Sequence, residues 1–452
     1  MRLHKKAVSA ALAAALLTGA AAIPQAAAAG PDTHIPILTY HNLTRNPDAT
    51  DSMTLTDERF RLDMEFLDEF GFTPLLSQDL IAISQGSMEM PENPVMITFD
   101  DGYRSNYVLA YPILQQTGMK AVISVVVYNM DETEAEGTPA ADSTQTSGAA
   151  DKAAEDQADG KPAEDQAPAE EPAQEISGHL TWDQMREMVA SGLVEIGSHT
   201  YNLHNPEYGG MGAPDGINGV MHEKGESFLE YSDRVGSDLQ KSIEVITERT
   251  GQEHVLYFAY PFGAYDKWME KLLDDYGVAV SVWSNNGKPA NIAKGLRNLT
   301  RYGIRMEQSV SELLQQTDTA EPAQAAVSVN GEQTELPAYN IDGNNYVRVR
   351  DVAVLLGGTE SGYDVQWNAG AGRVELTSHA SYTPIGSENA PLPAGSRTVQ
   401  SYPEPTVADG TAHMVAAYQI DGCTYYKLRS LGELCGFQVD WNEAEGVVEV
   451  TA

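Results

Sequence analysis

A short apolar strand that ends in two adjacent aspartates constrains this chain more than any other feature. Val95-Met96-Ile97 leads into Thr98-Phe99-Asp100-Asp101-Gly102-Tyr103, and the apolar run predicts a buried strand. Neighbouring carboxylates at such a strand end repel each other and cost desolvation free energy unless a cation neutralises them. Asp-Gly is also common turn chemistry, so a surface turn is the alternative. In the functional interpretation, one carboxylate binds a cation and the other acts as a base, which requires histidines elsewhere.

Strands and amphipathic helices alternate along the N-terminal half of the chain. Ile35–His41, Lys120–Val127 and Leu193–His199 predict strands, whereas Thr56–Phe70 and Thr181–Gly192 predict helices that begin at a threonine cap. This alternation indicates an α/β domain with a parallel sheet, closed or open.

The N-terminus has the pattern of a secretory signal peptide at residues 1–29. A basic start precedes the short apolar run Ala7–Ala22 and a series of small residues. The run is too short for an ordinary membrane span, and an uncleaved anchor is the alternative. We therefore expect a secreted protein, extracellular or associated with the cell wall, without a transmembrane segment after cleavage. The net charge of -37 argues against nucleic acid or an anionic membrane as a partner.

Residues 131–177 interrupt the alternation of strands and helices. This stretch is rich in Ala, Glu, Asp, Pro and Gln and contains no aromatic residue. Such a composition cannot bury enough apolar surface to offset the entropy of ordering. We therefore predict a disordered acidic insert inside a domain that spans residues 30–318.

A second informative stretch carries two histidines, His199 and His204, directly after a predicted strand. Five residues correspond to about 500° of helical rotation, so the two side chains would not share one face of a helix. Only a loop that folds back could bring both to one metal ion. Neutral imidazoles suit zinc, nickel or cobalt. Two unrelated surface histidines are the alternative.

These stretches together resemble the polysaccharide deacetylases of carbohydrate esterase family 4, the NodB-homology domain. The double-aspartate motif, the His199-Thr200 pair with His204, and Tyr257-Phe258-Ala259-Tyr260-Pro261-Phe262-Gly263 agree with that family in order and spacing between Ile35 and Arg305. The histidine spacing and Leu38-Thr39-Tyr40-His41 are most similar to the subgroup that acts on poly-N-acetylglucosamine.

The resemblance implies a fold and a set of roles. The fold would be a distorted (β/α) barrel with a seven-stranded core. Asp100 would be the general base, and a divalent metal, zinc or else nickel or cobalt, would be held by Asp101, His199 and His204. Contacts to the substrate or its oxyanion would come from Tyr103, Pro261, Phe262 and Gly263.

Two departures from the family pattern concern the catalytic groups. Ala259 stands where many members have an arginine that orients the base, so the sequence does not predict what fixes Asp100. The late Leu-x-His motif that supplies the general acid is also missing, because no histidine lies between His254 and His379. In the poly-N-acetylglucosamine subgroup the corresponding histidine comes from the N-terminal end, which points to His41. A strand-end histidine bonded to a backbone carbonyl is the alternative for His41.

The implied activity is metal-dependent removal of N-acetyl groups from a glycan such as poly-N-acetylglucosamine, peptidoglycan or a chitin-like polymer. A site of two histidines and one carboxylate leaves open positions on the metal for water and substrate, as hydrolysis of an amide requires. An esterase that removes O-acetyl groups from xylan-like glycans would use the same residues. A catalytically silent wall-binding protein is the third alternative, and the intact Asp100, Asp101, His199 and His204 argue against it.

The region 326–452 contains an internal repeat. Ala338-Tyr339-Asn340-Ile341-Asp342-Gly343 recurs as Ala417-Tyr418-Gln419-Ile420-Asp421-Gly422, and Trp367 has its counterpart in Trp441. Each copy, at about 326–378 and 400–452, predicts the order strand, strand, helix, strand, strand. A helix at Glu307–Thr317 and a linker at 319–325 are predicted to precede them.

The repeats resemble the small α+β domain named for the copper amine oxidase N-terminus, or stalk. No cluster of metal ligands occurs there, so copper is not inferred. The repeats would either bind a cell-wall polymer or act only as a spacer. Both cysteines of the chain, Cys423 and Cys435, lie in the second copy. Export permits a disulfide between them, which we expect if Cys423 lies on a strand and Cys435 ends a packed helix.

Overall fold

The computed structural model describes residues 33–130, 176–204, 219–283 and 287–452. The predicted signal peptide and residues 131–175 of the predicted insert lie outside these described residues.

A row of seven parallel strands forms the core of the N-terminal domain, in the order β10-β9-β8-β7-β6-β2-β12. The stretch Leu299–Gly303 joins the two ends of the row, since Tyr302 in β12 pairs with Leu38 in β2 and Leu299 pairs with Val282 in β10. This confirms the predicted α/β class and seven-stranded core of a distorted barrel. The strands of this domain are β1 (His34–Ile35), β2 (Ile37–Tyr40), β3 (Asn42–Thr44), β4 (Thr54–Thr56), β5 (Thr73–Pro74), β6 (Pro94–Phe99), β7 (Ala121–Val125), β8 (Val194–Ser198), β9 (Tyr257–Ala259), β10 (Val280–Val282), β11 (Ala290–Asn291) and β12 (Tyr302–Gly303).

Helices pack around this row and begin at capped residues. Thr56 accepts the backbone N–H of Arg59, and Thr181 accepts that of Gln184, as the sequence predicts. None of the described helices is long and apolar enough to cross a membrane. The helices of this domain are α1 (Asp57–Glu69), α2 (Ser77–Ser84), α3 (Tyr111–Thr117), α4 (Trp182–Ala190), α5 (Phe228–Tyr231), α6 (Ser237–Thr250), α7 (Lys267–Asp275) and α8 (Val310–Leu313).

The last helix, α8, is shorter than the predicted Glu307–Thr317. Ser309 caps it by accepting the N–H of Glu312, which starts the helix at Val310. The chain then becomes extended at Thr317. The prediction of helix over the whole stretch is therefore wrong, because the cap sets one end and a strand the other.

The alternation of side chains along β6 decides what faces the helices and what faces the barrel interior. Val95, Ile97 and Phe99 belong to the large apolar cluster under the helices. Thr98 points to the opposite side, where its hydroxyl donates to the carbonyl of Leu38. Since side chains alternate with a period of two, Asp100 follows Thr98 into the barrel interior.

The C-terminal region forms an α+β unit in which each copy has the predicted order. Its helices are α9 (Val349–Leu355) and α10 (Leu428–Cys435). Its strands are β13 (Thr317–Val329), β14 (Glu332–Ile341), β15 (Asn344–Arg348), β16 (Tyr363–Asn368), β17 (Arg373–Ser378), β18 (Arg397–Gln400), β19 (Thr406–Ala408), β20 (Thr411–His413), β21 (Ala417–Ile420), β22 (Cys423–Lys427), β23 (Gln438–Asn442) and β24 (Val447–Thr451).

The two copies are interleaved rather than strung in a row. The central strands β15 and β22 pair antiparallel, with Val347 opposite its counterpart Tyr426. The final hairpin of the second copy pairs through β24 with β13, and the final hairpin of the first copy pairs through β17 with β19. The pairing therefore follows a pseudo-two-fold axis, and each copy completes the sheet of the other.

Two expectations for this region need correction. Residues 319–325 are not an irregular linker, because they lie within β13, where they pair with both β14 and β18. The disulfide is absent, because Cys423 is an exposed residue at the start of β22 whereas Cys435 is buried in the apolar core at the end of α10. The two thiols thus face different environments.

Helix α1 connects the barrel to the repeat region. Glu65 accepts the N–H of Met414 at 2.9 Å, and Glu69 accepts the N–H of Ala416 at 3.0 Å and the hydroxyl of Ser430 at 2.6 Å. On the same helix, the Arg61 guanidinium donates to a backbone carbonyl of β20. The second copy therefore rests directly on a helix of the barrel.

Candidate active site

The predicted site residues converge at the carboxyl ends of the barrel strands. His41 follows β2, Asp100 and Asp101 follow β6, His199 follows β8, and the turn Pro261–Gly263 follows β9. Side chains at this edge of a parallel barrel point into one shared space. Sequence positions more than 200 residues apart are therefore brought into one site.

Asp101, His199 and His204 form a compact set of donor atoms. Oδ1 of Asp101 lies 3.5 Å from Nε2 of His199 and 3.6 Å from Nε2 of His204. One ligand atom from each residue lies within 4.8 Å of the other two. Burial lowers the pKa of His199 to about 3 and also lowers the pKa of His204. Both imidazoles are therefore neutral at pH 7 and keep a lone pair for a metal ion.

The loop between the two histidines folds back, as a shared metal would require. Thr200 has a φ of 81° and accepts the N–H of Leu203 with its side chain. Asp238, at the start of α6, accepts the N–H of Tyr201 at 2.8 Å and that of Asn202 at 2.9 Å. Asp238 thereby anchors the loop from outside, a role that no motif in the sequence indicates.

Contacts to the second ring nitrogen and the ring face orient the histidines. Nδ1 of His199 donates to the carbonyl of Ala259 at 2.8 Å, which leaves Nε2 as the acceptor facing Asp101. A hydrogen bond of this kind fixes the tautomer of a metal-ligating histidine. The ring of Phe262 stacks on His204 with centroids 4.2 Å apart. Phe262 has a φ of 55°, an uncommon conformation for an aromatic residue.

Asp101 is held in a strained turn and lacks a cationic side chain of its own. Its φ is 71°, and Gly102 follows with a φ of 70°. A Cβ at Gly102 would lie 2.8 Å from Val125, so only glycine fits. Burial, partly opposed by His41 and reinforced by Asp100, raises the pKa of Asp101 to about 6. A cation bound beside Asp101 would offset this cost of burial.

Asp100 has the opposite electrostatic environment, because Arg301 neutralises it. The guanidinium donates from Nη1 to Oδ1 at 2.9 Å and from Nη2 to Oδ2 at 2.6 Å, and Ser124 donates to Oδ1 at 2.8 Å. Burial alone would raise the pKa of Asp100, but the charge and hydrogen bonds of Arg301 hold that pKa well below its usual range. The two adjacent aspartates therefore differ in pKa, which is lowered for Asp100 and raised for Asp101.

Arg301 is the functional residue that the sequence reasoning missed. It is 3% exposed and lies directly before β12, next to the strand that ends at His41. It occupies the role that the family arginine would have at Ala259, but it approaches from another strand. The available signal was an arginine inside the short, partly apolar stretch Leu299–Ile304, because a buried arginine needs a partner.

His41 lies beside both carboxylates. Burial lowers the pKa of His41, while Asp100 and Asp101 act in the opposite direction. Its backbone carbonyl accepts from the amide of Asn106 at 2.7 Å, which fixes the strand end. A histidine with a lowered pKa is a stronger acid once it is protonated, as a proton donor to a leaving amine needs to be.

Tyr103 and the turn Pro261–Gly263, which are predicted to contact substrate, lie beside Asp101 and His204. Tyr103 is half-buried, bonded to Asp101 and stacked on His179, and burial raises its pKa to about 12. Pro261, Phe262 and Gly263 form a tight turn in which the Gly263 amide donates to the carbonyl of Tyr260. Tyr40 and Trp182, by contrast, are fully buried core residues.

The donor set fits a divalent metal. Two neutral imidazoles and one carboxylate are typical ligands of zinc in catalytic sites, and nickel or cobalt accept the same donors. A bound cation would stabilise the ionised form of Asp101, whose pKa burial raises.

Comparison with known proteins agrees with this geometry. Residues 87–281 match the polysaccharide deacetylase family, and residues 328–450 match the copper amine oxidase N-terminal domain. The poly-beta-1,6-N-acetyl-D-glucosamine N-deacetylases of Escherichia coli K12 and O157:H7 are each 27% identical over 294 residues. These matches cover 63% of this chain and only 38% of each relative.

A solved structure is also similar. A de-N-acetylase from Aggregatibacter actinomycetemcomitans shares 23% identity, with a TM-score of 0.47, over 62% of this chain and 98% of that one. The family match covers β6 to β10, and therefore includes Asp100, Asp101, His199 and His204. The sequence of the barrel is therefore similar to that of the polysaccharide deacetylases, and the sequence of the C-terminal region is similar to that of the copper amine oxidase N-terminal domain.

Proposed function

We propose that this protein is a secreted, metal-dependent deacetylase that removes N-acetyl groups from a glycan outside the cell. The observation that carries the proposal is the pairing of Asp101, His199 and His204 beside an Asp100 that Arg301 neutralises. The substrate class is a polymer of N-acetylglucosamine, which the names of the Escherichia coli relatives support.

Asp101, His199 and His204 would hold the metal, for which zinc is the first candidate. Bound there, the cation would supply Lewis acidity, which polarises the acetyl carbonyl and lowers the pKa of water. The chain's part is to keep both imidazoles neutral by burial and to fix the His199 tautomer through Ala259.

Asp100 accepts the proton of the attacking water in this proposal. Its lowered pKa makes it a weak base, but it also keeps the carboxylate ionised across the physiological range. Arg301 holds both oxygens in fixed positions, which supports a defined path for the proton. A weak but preorganised base suffices when the water is already acidified.

His41 donates a proton to the leaving amine, and backbone groups share the developing oxyanion charge. The resemblance to the deacetylases implies the backbone amide of Phe262 as the oxyanion donor, and the amide of the neighbouring Gly263 is already bonded to Tyr260. A donor of this kind typically lowers the activation free energy by about 3–4 kcal/mol. Tyr103, Pro261 and Gly263 would shape the wall of this pocket.

Acetate release from a panel of glycans tests the proposal. The panel contains poly-N-acetylglucosamine, peptidoglycan, chitin oligomers and O-acetylated xylan, each with and without chelator. We expect release from an N-acetylated glycan, loss with chelator and recovery when zinc is added back. Release from O-acetylated xylan alone, or release that chelator leaves unchanged, would contradict the proposal.

A further inference from the structure

A second cavity lies in the repeat region, far along the chain from the barrel motifs. Its volume is about 500 Å³, within the range of small-molecule sites. It lies between α9, the hairpin of β16 and β17, the segment 385–390 and the start of β22. Apolar groups dominate its lining, including Val365, Val374, Trp367 and Ile385.

Trp367 gives this cavity an open aromatic face. Trp367 is 46% exposed although it lies within β16. Its counterpart in the second copy, Trp441, is 58% exposed but is not among the residues that line the cavity. Two other repeated aromatic pairs, Tyr346 with Tyr425 and Tyr339 with Tyr418, are buried in a core cluster. Of the repeated aromatic positions, therefore, the tryptophans alone present a ring to solvent, and one of them has a built pocket.

The charged groups of the cavity cancel each other. Arg348 donates to Asp351 at 2.7 Å and to the carbonyl of Ala390 at 2.7 Å. Glu388 is bonded to Tyr382 and to the amides of Ile385 and Gly386. With Arg350 the lining carries two cations and two anions, so its net charge is zero. A neutral ligand therefore fits better than a charged one.

The wall formed by residues 385–390 is fixed in place. The amide of Asn389 donates to Asp351, which is buried at the start of α9. Together with the Arg348–Ala390 contact, this bond ties the wall to α9. The cavity is thus preformed, and a ligand would not have to order it.

We propose that this cavity binds an uncharged N-acetylated sugar of the glycan on which the barrel acts. The apolar face of the sugar would stack on Trp367, as pyranose rings stack on aromatic side chains, and the acetyl methyl would contact Val365 and Val374. The hydroxyls would bond to Gln366, Gln419 and Thr424 on the rim. The ligand class rests on the proposed function. The consequence is that the repeat region retains acetylated stretches of polymer near the catalytic site, which raises their effective concentration.

Calorimetric titration of the full-length, metal-loaded Asp100→Asn protein with N-acetylglucosamine oligomers tests this. That background prevents turnover and leaves the active site and the cavity as two separate sites. We expect Trp367→Ala to weaken the cavity site by about tenfold, Trp367→Phe to restore most of it, and Trp441→Ala to leave it unchanged. Fully deacetylated, cationic oligomers should bind the cavity at least tenfold more weakly. Thermal melting confirms that each variant is folded.

The inference would be overturned if Trp367→Ala and Trp441→Ala bound the acetylated oligomers with equal affinity. It would also be overturned if acetylated and deacetylated oligomers bound the cavity equally well. A wild-type protein that sediments as a dimer and a Trp367→Ala variant that sediments as a monomer would instead make the cavity a self-association surface. With Asp100 intact, Trp367→Ala should release acetate from short soluble substrates at the wild-type rate. If the wild type released no acetate, the proposed function would be overturned. The Trp367-dependent binding would still be measured independently, because the calorimetric titration does not require turnover.

Discussion

The barrel and the repeat region use charge and aromatic surface in opposite ways. In the barrel, Asp100, Arg301 and His199 are each at most 3% exposed; the charge and hydrogen bonds of Arg301 lower the pKa of Asp100, and burial lowers the pKa of His199. In the repeat region, the charged groups beside the cavity are paired, and the tryptophans are exposed instead. The buried, charged groups of the barrel suit the proton transfer and cation binding that we propose, whereas the repeat region presents a neutral, apolar surface.

Helix α1 joins these two regions through opposite faces. Asp63 is buried on the barrel side, where it accepts the hydroxyl of Tyr40 and the N–H of Val310. Glu65 and Glu69 face the repeat region and accept its backbone amides. The two regions are therefore a jointly packed body, although they differ in what they present.

Replacement of Arg301 should produce the largest change, because it leaves Asp100 buried and unpaired. We expect Arg301→Gln to lower the free energy of unfolding by about 3–5 kcal/mol and to reduce turnover strongly. Denaturant unfolding and acetate release measure these effects. Arg305→Gln is the matched control, since Arg305 is exposed in the same stretch of chain. Similar losses in both variants would show that the pairing with Asp100 is not the cause.

The same pair predicts a pH dependence of stability. The pKa of Asp100 is lower in the folded than in the unfolded protein, so the pair stabilises the fold above the unfolded pKa of about 4. That contribution is lost as the pH falls below this value. Arg301→Gln should therefore lose stability relative to wild type at pH 7 and approach it near pH 2. A constant difference between the two proteins across this range would refute the assignment.

His41 tests the proton donor within the barrel. His41→Ala should lower turnover by about 100-fold while metal content stays at the wild-type level. His254→Ala is the control, because its side chain is 67% exposed and lies before β9. A strong effect at His254 with none at His41 would reverse the assignment.

Replacement of Asp238 tests whether this residue holds the loop between His199 and His204 in place. Asp238→Ala should weaken metal affinity by about 10–100-fold, because the amides of Tyr201 and Asn202 lose their acceptor. Metal titration of the folded protein measures this, and Asp233→Ala, at an exposed position close in sequence, is the control. A purely structural role would lower the melting temperature but leave the metal affinity unchanged.

Replacement of Glu69 tests the contact between the barrel and the repeat region, and it should have the smallest effect. Glu69→Ala removes the acceptor of Ala416 and Ser430 and should cost about 1–3 kcal/mol. Differential scanning calorimetry should show the repeat region melting earlier than the barrel. Glu58→Ala, exposed on the same helix, should leave a single transition. Unchanged melting of Glu69→Ala would mean that the contact contributes nothing measurable.

Local motifs predicted the barrel and most of the candidate site because their spacing reflects local structure. The double aspartate marks a strand end, and the five-residue histidine spacing requires a folded loop, which Thr200 and Asp238 provide. Arg301 was not predictable in the same way, because its pairing with Asp100 depends on the strand order of the closed sheet.

In the repeat region, duplication predicted the order of elements but not their pairing. A repeat in sequence is compatible with two separate units or with exchanged hairpins, and the register of β15 against β22 decides between them. The segment 319–325 looked like a linker because Pro and small residues dominate it, yet two neighbouring strands supply its partners. The cysteines likewise remain unpaired although Cys423 lies on a strand and Cys435 ends a packed helix, because one is exposed and the other is buried.

The central claim is that Asp101 belongs to a metal site and that Asp100 acts beside it as a base. Metal content and acetate release, measured together on Asp100→Asn and Asp101→Ala, test it most directly. We expect Asp100→Asn to keep one equivalent of metal and to lose most activity, whereas Asp101→Ala should lose both. Near wild-type turnover of Asp100→Asn, or retention of metal by Asp101→Ala, would show that these roles are wrongly assigned.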